Sequence, residues 1–187
     1  MDPLERIQSR RRALPEVDLT HGRSIAYSRY TTSRIMELMD ANGHGNVHGG
    51  VILRMVDESA ALVAMKHGGR PVVTARIERF DFLAPAYIGN VVSVHSAMNY
   101  VGRTSMEVGV EVTAEDVLTG EVRKIASSYV TYVALDDNNR PTPVPPLAPA
   151  NEEEAARIER ARHRRMHMAK IDEELAKVQR DTEITGL

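Results

Sequence analysis

Twelve residues, Asn46 to Asp57, hold an amide, an imidazole, two adjacent glycines and a carboxylate. The run Asn46-Val47-His48-Gly49-Gly50 lies where a loop enters a helix. The first turn of a helix leaves backbone N–H groups without partners, and its dipole favours negative charge there. Glycine lets a ligand approach that backbone closely. A carbonyl becoming an oxyanion would be stabilised at such a place, although the same glycines also suit an ordinary tight turn. Asp57 falls inside the helix, between the apolar Met55 and Val56 and the small residues Ser59 to Ala61. A carboxylate at the edge of a buried face can act as base or nucleophile; a helical aspartate is otherwise a solvated charge. Glu58 is the adjacent acid, and spacing leaves the roles of the two interchangeable. His44 and His48 are four residues apart, but they share a glycine-rich loop with no third ligand, so no metal site is expected. No serine, histidine and carboxylate stand in an order that makes a triad.

The elements that must position these groups follow from the apolar pattern. Residues 22–31 are expected to contain a short strand, and residues 41–50 a glycine-rich turn. Ile52, Met55, Val56, Ser59, Ala60 and Val63 recur at helical spacing within residues 50–67, and Gly68-Gly69 should stop that helix. Period-two runs follow. Val72 to Phe82 is the first. Val92, Val94, Met98 and Tyr100 share one face of the next. Met106, Val108, Val110 and Val112 share one face of the third, with Glu107 and Glu111 opposite, and Val122 to Ala134 is the fourth. Pro85, Gly89, Gly102 and Gly120 separate them. The expected order is strand, helix, then four strands in a meander. That is an α+β layer, one long helix against a five-stranded, mostly antiparallel sheet. One helix covers one face only, so the remaining surface and the sheet edges call for a partner, and a homodimer is expected.

The 187 residues carry 24 basic and 26 acidic side chains, a formal net charge of −2. That balance argues against a protein built to hold nucleic acid or an anionic membrane. With no cysteine there are no disulfides, thiolate metal sites or cysteine nucleophiles. With no tryptophan and two phenylalanines, the core must be aliphatic. No window approaches the ~18 apolar residues of a membrane span. The opening MDPLERIQSRRR has no apolar stretch after its charges, so no secretory signal is expected and a cytoplasmic protein is the default. Four zones are expected: an arm over 1–19 with Arg10, Arg11 and Arg12, a domain over 20–135, a proline-rich linker over 136–150, and a helical extension over 151–187. Five prolines among residues 138–149 disfavour both helix and central strand. Asn151 suits the N-cap of the last helix, with three glutamates after it. There Ile158, Ala161, Met168, Ile171, Leu175 and Val178 form a rough stripe interrupted by Arg165. Nine acids against eight bases over 151–187 favour packing on another subunit.

Residues 42–57, NGHGNVHGGVILRMVD, resemble the signature of hotdog-fold acyl-CoA thioesterases. The likeness is to the cytosolic acyl-CoA hydrolase branch, with brain-type acyl-CoA hydrolase and its single-domain bacterial relatives. Three more segments agree in order: ARIERFDFLAPA at 75–86, IGNV at 88–91 with Asn90 in place of the usual acid, and VGRTSMEVGV at 101–110. The resemblance spans residues 20–135. It implies a hotdog fold, a long central helix wrapped by a five- to six-stranded antiparallel sheet, with the C-terminal helix added. It implies hydrolysis of fatty acyl-CoA to free fatty acid and CoA (EC 3.1.2 type), CoA being part of the substrate and no separate cofactor being needed. It assigns catalysis to Asp57 rather than Glu58, polarisation of the carbonyl to the Gly49 amide, and assistance to Asn46, with His48 and Gly50 as supporting substrate contacts. Arg103, Thr104 and Ser105, a cation and two hydroxyls beside Gly102, are candidates for the CoA phosphates, or an ordinary hairpin turn.

Helix geometry adds a constraint. Gly49 and Asp57, eight residues apart on one helix, are separated by ~12 Å. A base and an oxyanion donor must both reach one carbonyl, each within about 3 Å or through a water. A composite site is therefore expected, with Asn46 and Gly49 from one protomer and Asp57 from the other. The homodimer is then the minimal unit, with two equivalent sites, assembled further into a tetramer or hexamer. The nearest rival enzyme is an aryl-CoA thioesterase of the phenylacetate type, which shares the HGG-to-Asp spacing; RIERFDFLAP favours the first branch. A non-catalytic acyl-CoA-binding hotdog protein is the rival of a different class. Neither nucleic acid nor membrane is an expected partner.

Overall fold

The computed structural model describes residues 16–185, so Arg10 to Arg12 lie outside the described residues. The chain divides into two units, 1–148 and 149–187. In the first, the elements are α1 (Ile25–Ser28), β1 (Tyr30–Ile35), a 3₁₀ turn (Leu38–Asp40), α2 (Gly49–Gly68), β2 (Val72–Phe82), β3 (Val91–Val101), β4 (Ser105–Asp116) and β5 (Glu121–Ala134). The short strand expected within residues 22–31 starts only at their end and runs on to Ile35. The Ser24 hydroxyl accepts from the Tyr27 N–H at 3.2 Å, which starts one turn of helix, and β1 begins only at Tyr30.

The five strands form one antiparallel sheet in the order β1-β3-β4-β5-β2. The expected four-strand meander is thus correct for β3, β4 and β5 but not for β2, which lies at the far edge beside β5. Helix α2 packs across all five strands. The chain therefore enters it from the β1 side and leaves it on the β5 side.

Helix α2 is bounded by two local devices. At its start His48 is the N-cap, its Nδ1 accepting the Gly50 N–H at 2.9 Å. At its end Gly69, at φ 63°, donates to Met65 O; a side chain there would be strained. Ile52, Met55, Val56, Ser59, Ala60 and Val63 are buried as their spacing requires, joined by Ala64 and His67. They meet Val92, Val94, Met98, Met106, Val108 and Val112 from the sheet. Each fully buried aliphatic side chain contributes about 1.5–3 kcal/mol. The hydroxyls of Ser59 and Ser96, 2.9 Å apart, satisfy each other inside this core. Tyr100 departs from its expected face. A bulge after Met98 pairs Tyr100 with Glu107, on the opposite side from Val92, Val94 and Met98. Glu107 is itself buried, with Asn99 Nδ2 donating to its Oε1 at 3.1 Å.

The proline-rich segment is extended, as its composition requires, but up to Ala148 it is pinned to the domain rather than free. Thr142 N–H donates to Ala134 O, Val144 N–H to Arg103 O, Arg23 N–H to Pro146 O, and Ala148 N–H to Arg23 O. Val144 joins the core. His67, fully buried, donates through Nε2 to Pro145 O at 3.1 Å, and Arg23 caps the carbonyls of Lys66 and His67 at the helix end. Burial pushes the His67 imidazole below its ordinary value; the Pro145 bond opposes this and the Arg23 charge adds to it. His67 is therefore neutral when folded, and the unfolded chain takes up its proton more readily. That contribution to stability is present above about pH 6.5 and is lost as pH falls below it. In urea titrations the midpoint should drop between pH 7 and pH 5.5, and His67→Gln should drop less over the same interval.

In the second unit, α3 (Glu152–Thr185) is capped as expected. Asn151 Oδ1 accepts the Glu154 N–H, and Glu154 Oε2 accepts the Ala150 N–H, each at 2.9 Å. Ile171, Leu175 and Val178 of its apolar stripe are exposed. Among the described residues no helix is long and apolar enough to cross a membrane.

Candidate active site

The loop before α2 is a closed hairpin. Ala41 bridges Val47, and Asn42 N–H donates to Asn46 O at 2.7 Å. Asn42 Oδ1 accepts the N–H groups of His44 (2.8 Å) and Asn46 (3.2 Å). The Asn42 carbonyl is thus committed, and its amide nitrogen remains as a donor. Val47 N–H to Ala86 O and His48 N–H to Asp40 O attach the hairpin to its surroundings.

A donor count at the helix start singles out one amide. His48 Nδ1 takes the Gly50 N–H, and His48 O takes the Val51 N–H. The Gly49 N–H has no hydrogen-bond acceptor among the described residues. Gly49 lines a cavity of about 350 Å³ together with Asn42, Asn46, Phe82, Pro85 and Ile125. Phe82 lies over it so closely that a Cβ on Gly49 would sit 3.1 Å from the ring. The cavity therefore joins an apolar wall to an uncommitted helix-start donor and two amide side chains, an arrangement suited to a developing oxyanion.

Asp57 does not line this cavity. Two turns along α2, its Oδ1 accepts from Thr74 Oγ1 at 2.7 Å and from the Tyr132 hydroxyl at 3.0 Å; that hydroxyl is also 2.8 Å from Asp57 O. Burial, then the Asp57 charge and its hydrogen bond, hold the Tyr132 phenol protonated well above its ordinary range, so it stays a donor. Glu58 is exposed and paired with Arg54 at 2.8 Å, which distinguishes the two acids. Leu53, Ala61 and Met65 flank Asp57 at four-residue spacing on a partly exposed stripe, beside the edge strand β2 with its exposed Val73 and Ile77.

Of the residues singled out in the sequence, Asn46 and Gly49 share the cavity. His48 and Gly50 are bound to each other as the helix cap. Arg103, Thr104 and Ser105 form a turn closed by Gly102 N–H to Ser105 O. This turn lies beside the C-terminal end of α2, because Val144 donates to Arg103 O and abuts Gly68. It is about 30 Å along the helix from Gly49 of the same chain. Asn42, Thr74 and Tyr132 were not anticipated. The Asn-Gly pair at 42–43 is a turn signal that could have drawn attention to Asn42; nothing local marks the other two. Asn90, in place of the usual acid, accepts the Tyr87 N–H and an Arg123 N–H through Oδ1, which fixes its turn. Among the described residues no three potential ligands gather to hold a metal ion.

Residues 44–121 match the Thioesterase superfamily. The chain is 42% identical to an uncharacterised acyl-CoA thioester hydrolase of Bacillus subtilis over 123 residues, 66% of this chain and 71% of that one. It is 33% identical to the cytosolic acyl coenzyme A thioester hydrolase of Rattus norvegicus over 147 residues, 78% of this chain but 39% of that longer protein. Among solved structures, an apo-hexameric acyl-CoA thioesterase superposes with a TM-score of 0.77 at 38% identity, covering 81% of this chain and 97% of the other. An acyl-CoA hydrolase of Staphylococcus aureus, in complex with butyryl coenzyme A, coenzyme A and its disulfide, superposes with a TM-score of 0.67 at 35% identity, covering 83% and 99%. That enzyme has also been solved with an aspartate, a threonine or an asparagine replaced by alanine. With this fold, this site and these relatives, the chain belongs to the hotdog thioesterase superfamily, in its acyl-CoA thioester hydrolase family.

Proposed function

We propose that the chain hydrolyses fatty acyl-CoA at sites built from two protomers, with Asn42, Asn46 and Gly49 from one and Asp57 with Thr74 from the other. The observation that carries this is the separation of the two halves. Within one chain the Gly49 donor opens into a cavity from which Asp57 is absent, while Asp57 lies in a partly exposed apolar stripe beside a strand edge that no other described strand covers. A second copy on that edge would cover the stripe and bring its own Gly49 toward Asp57.

The Staphylococcus aureus variants support the choice of residues. The substituted asparagine, aspartate and threonine of that chain are spaced 15 and 17 residues apart. Asn42, Asp57 and Thr74 have the same spacing here. Asn42, rather than Asn46 alone, is therefore the asparagine assigned to the carbonyl. The hexameric state named for two structural neighbours supports an oligomer. The name of the rat relative supports a cytoplasmic setting. The Arg103 turn lies too far from Gly49 of its own protomer to share a substrate with it directly. A contact with CoA phosphates would have to come from another protomer.

In the reaction, Gly49 N–H and the helix dipole draw electron density onto the thioester oxygen. Water adds to the carbonyl carbon as Asp57 takes its proton. Collapse of the tetrahedral intermediate breaks the C–S bond, CoA leaves as the thiolate and the acyl group leaves as the carboxylic acid. Direct attack by Asp57, giving a mixed anhydride that water then opens, balances equally. The test is thiol release from acyl-CoAs of graded chain length, read with a thiol-reactive dye, to which a chain without cysteine adds no background. Release with a clear chain-length optimum is expected. Tight binding of CoA esters without release would make the protein a sensor, and preference for phenylacetyl-CoA would move it to the aryl branch.

A further inference from the structure

We propose that Tyr132 is a positioning residue for this reaction, its buried hydroxyl fixing the Asp57 carboxylate so that Oδ2 alone is presented to the reacting atoms. The inference rests on the reading of Asp57 given above.

Three observations carry it. Tyr132 stands directly opposite Thr74 in the β2–β5 ladder, and Thr74 is the last residue in register before a bulge. Cross-strand partners project to the same face, so the two hydroxyls arrive together beneath α2, and both reach Asp57 Oδ1. Secondly, the two donors differ in freedom. Thr74 is on an exposed edge strand, whereas Tyr132 is 1% exposed and its ring belongs to the core. A packed ring with a single hydroxyl torsion is the fixed point of the pair. Thirdly, the same hydroxyl lies 2.8 Å from Asp57 O, so it grips side chain and main chain of one residue at once. That holds the carboxylate in one rotamer relative to the helix axis. Tyr132 is too buried to touch substrate, and it acts through Asp57.

Tyr132→Phe is a clean probe because it leaves little unpaired. Asp57 Oδ1 keeps the Thr74 bond, and Asp57 O keeps the helix hydrogen bond of any mid-helix carbonyl. Loss of a hydrogen bond to a charged group predicts a fall in kcat of roughly 10- to 100-fold, with KM changed little. The loss should fall on kcat and not on KM, a split that damage to the fold would not give. In an Asp57→Asn background the same substitution should have no further effect on residual activity. Site-specific 3,5-difluorotyrosine at position 132 keeps ring and hydroxyl, so it should keep the bond to Asp57 and restore most of the kcat lost in the Phe protein. It also supplies a result where the Phe protein fails to fold. An unchanged kcat in Tyr132→Phe, a large loss of kcat in the difluorotyrosine protein, or an equal loss in the Asp57→Asn background overturns the proposal and leaves Tyr132 as core filler. Full activity in Asp57→Asn itself would instead overturn the assignment of Asp57, so the two failures are separable.

Discussion

Asp57→Asn should release thiol from acyl-CoA about 100- to 10,000-fold more slowly than wild type, the range that a positioned general base contributes. Asparagine has nearly the same shape, and its Oδ1 can still accept from Thr74 and Tyr132, so fold and assembly should be retained. What is lost is the negative charge and the capacity to take a proton or to attack. KM should change much less than kcat, because the carboxylate acts in the transition state rather than in binding. Glu58→Gln is the matched control. Glu58 is solvent-exposed and bound to Arg54, so its loss should leave the rate within about twofold, as expected for a surface pair. A single turnover in oxygen-18 water extends the comparison: label recovered in Asp57 reports the anhydride, opened at the aspartyl carbon. Equal rates for wild type and Asp57→Asn would remove this residue from catalysis.

The second large effect is a gain. Asn42→Ala and Asp57→Asn should each be nearly inactive as pure proteins. Mixed after dissociation and reassembly, they should recover roughly a quarter of wild-type activity, because half of the dimers pair unlike protomers and each of those holds one intact site. Asn42 then comes from the Asp57→Asn protomer and Asp57 from the Asn42→Ala protomer. If the whole site belonged to one chain, mixing would restore nothing. The geometry behind this is the absence of Asp57 from the cavity at Gly49, together with the exposed Val73 and Ile77 on the edge beside it. The readout is activity against mixing ratio, with a maximum expected at equal amounts.

The helix and its buried face were legible because Ile52, Met55, Val56, Ala60 and Val63 repeat at a period only a helix satisfies. The faces of β3 and β4 were legible for the same kind of reason, up to the bulge that turns Tyr100 over. The place of β2 was not, because periodicity says which face is buried and nothing about which neighbour a strand takes. Within residues 22–31 the strand starts later than alternation suggests, because Ser24 acts through its hydroxyl as a cap and one turn of helix comes first. At the site, Asp57 and Gly49 came from a motif on one helix and its loop. Thr74 and Tyr132 reach Asp57 from 17 and 75 residues away, and such meetings are made by strand register, which no local window contains. Asp57 and Glu58, interchangeable on spacing, differ in where the helix turn of about 100° per residue sends each side chain: one to β2 and β5, the other to solvent and Arg54.

The strand order β1-β3-β4-β5-β2 also sets a timetable for synthesis. β3, β4 and β5 are joined by tight turns and can pair as soon as each emerges, but β2 is made well before β5, its one partner strand among the described residues. On a ribosome making 5–20 residues per second, about 40 residues separate the end of β2 from its partner, an interval of roughly 2–8 seconds. Through that interval Val73, Ile77, Phe80 and Phe82 form a strand-prone stretch with nothing to pair with. The interleaved Arg76, Glu78, Arg79 and Asp81 are charges of the kind that keep such a stretch from pairing with a neighbouring copy too early. The edge proposed above to receive a second copy would therefore also carry the charges that guard the nascent chain against meeting its twin before the sheet is finished.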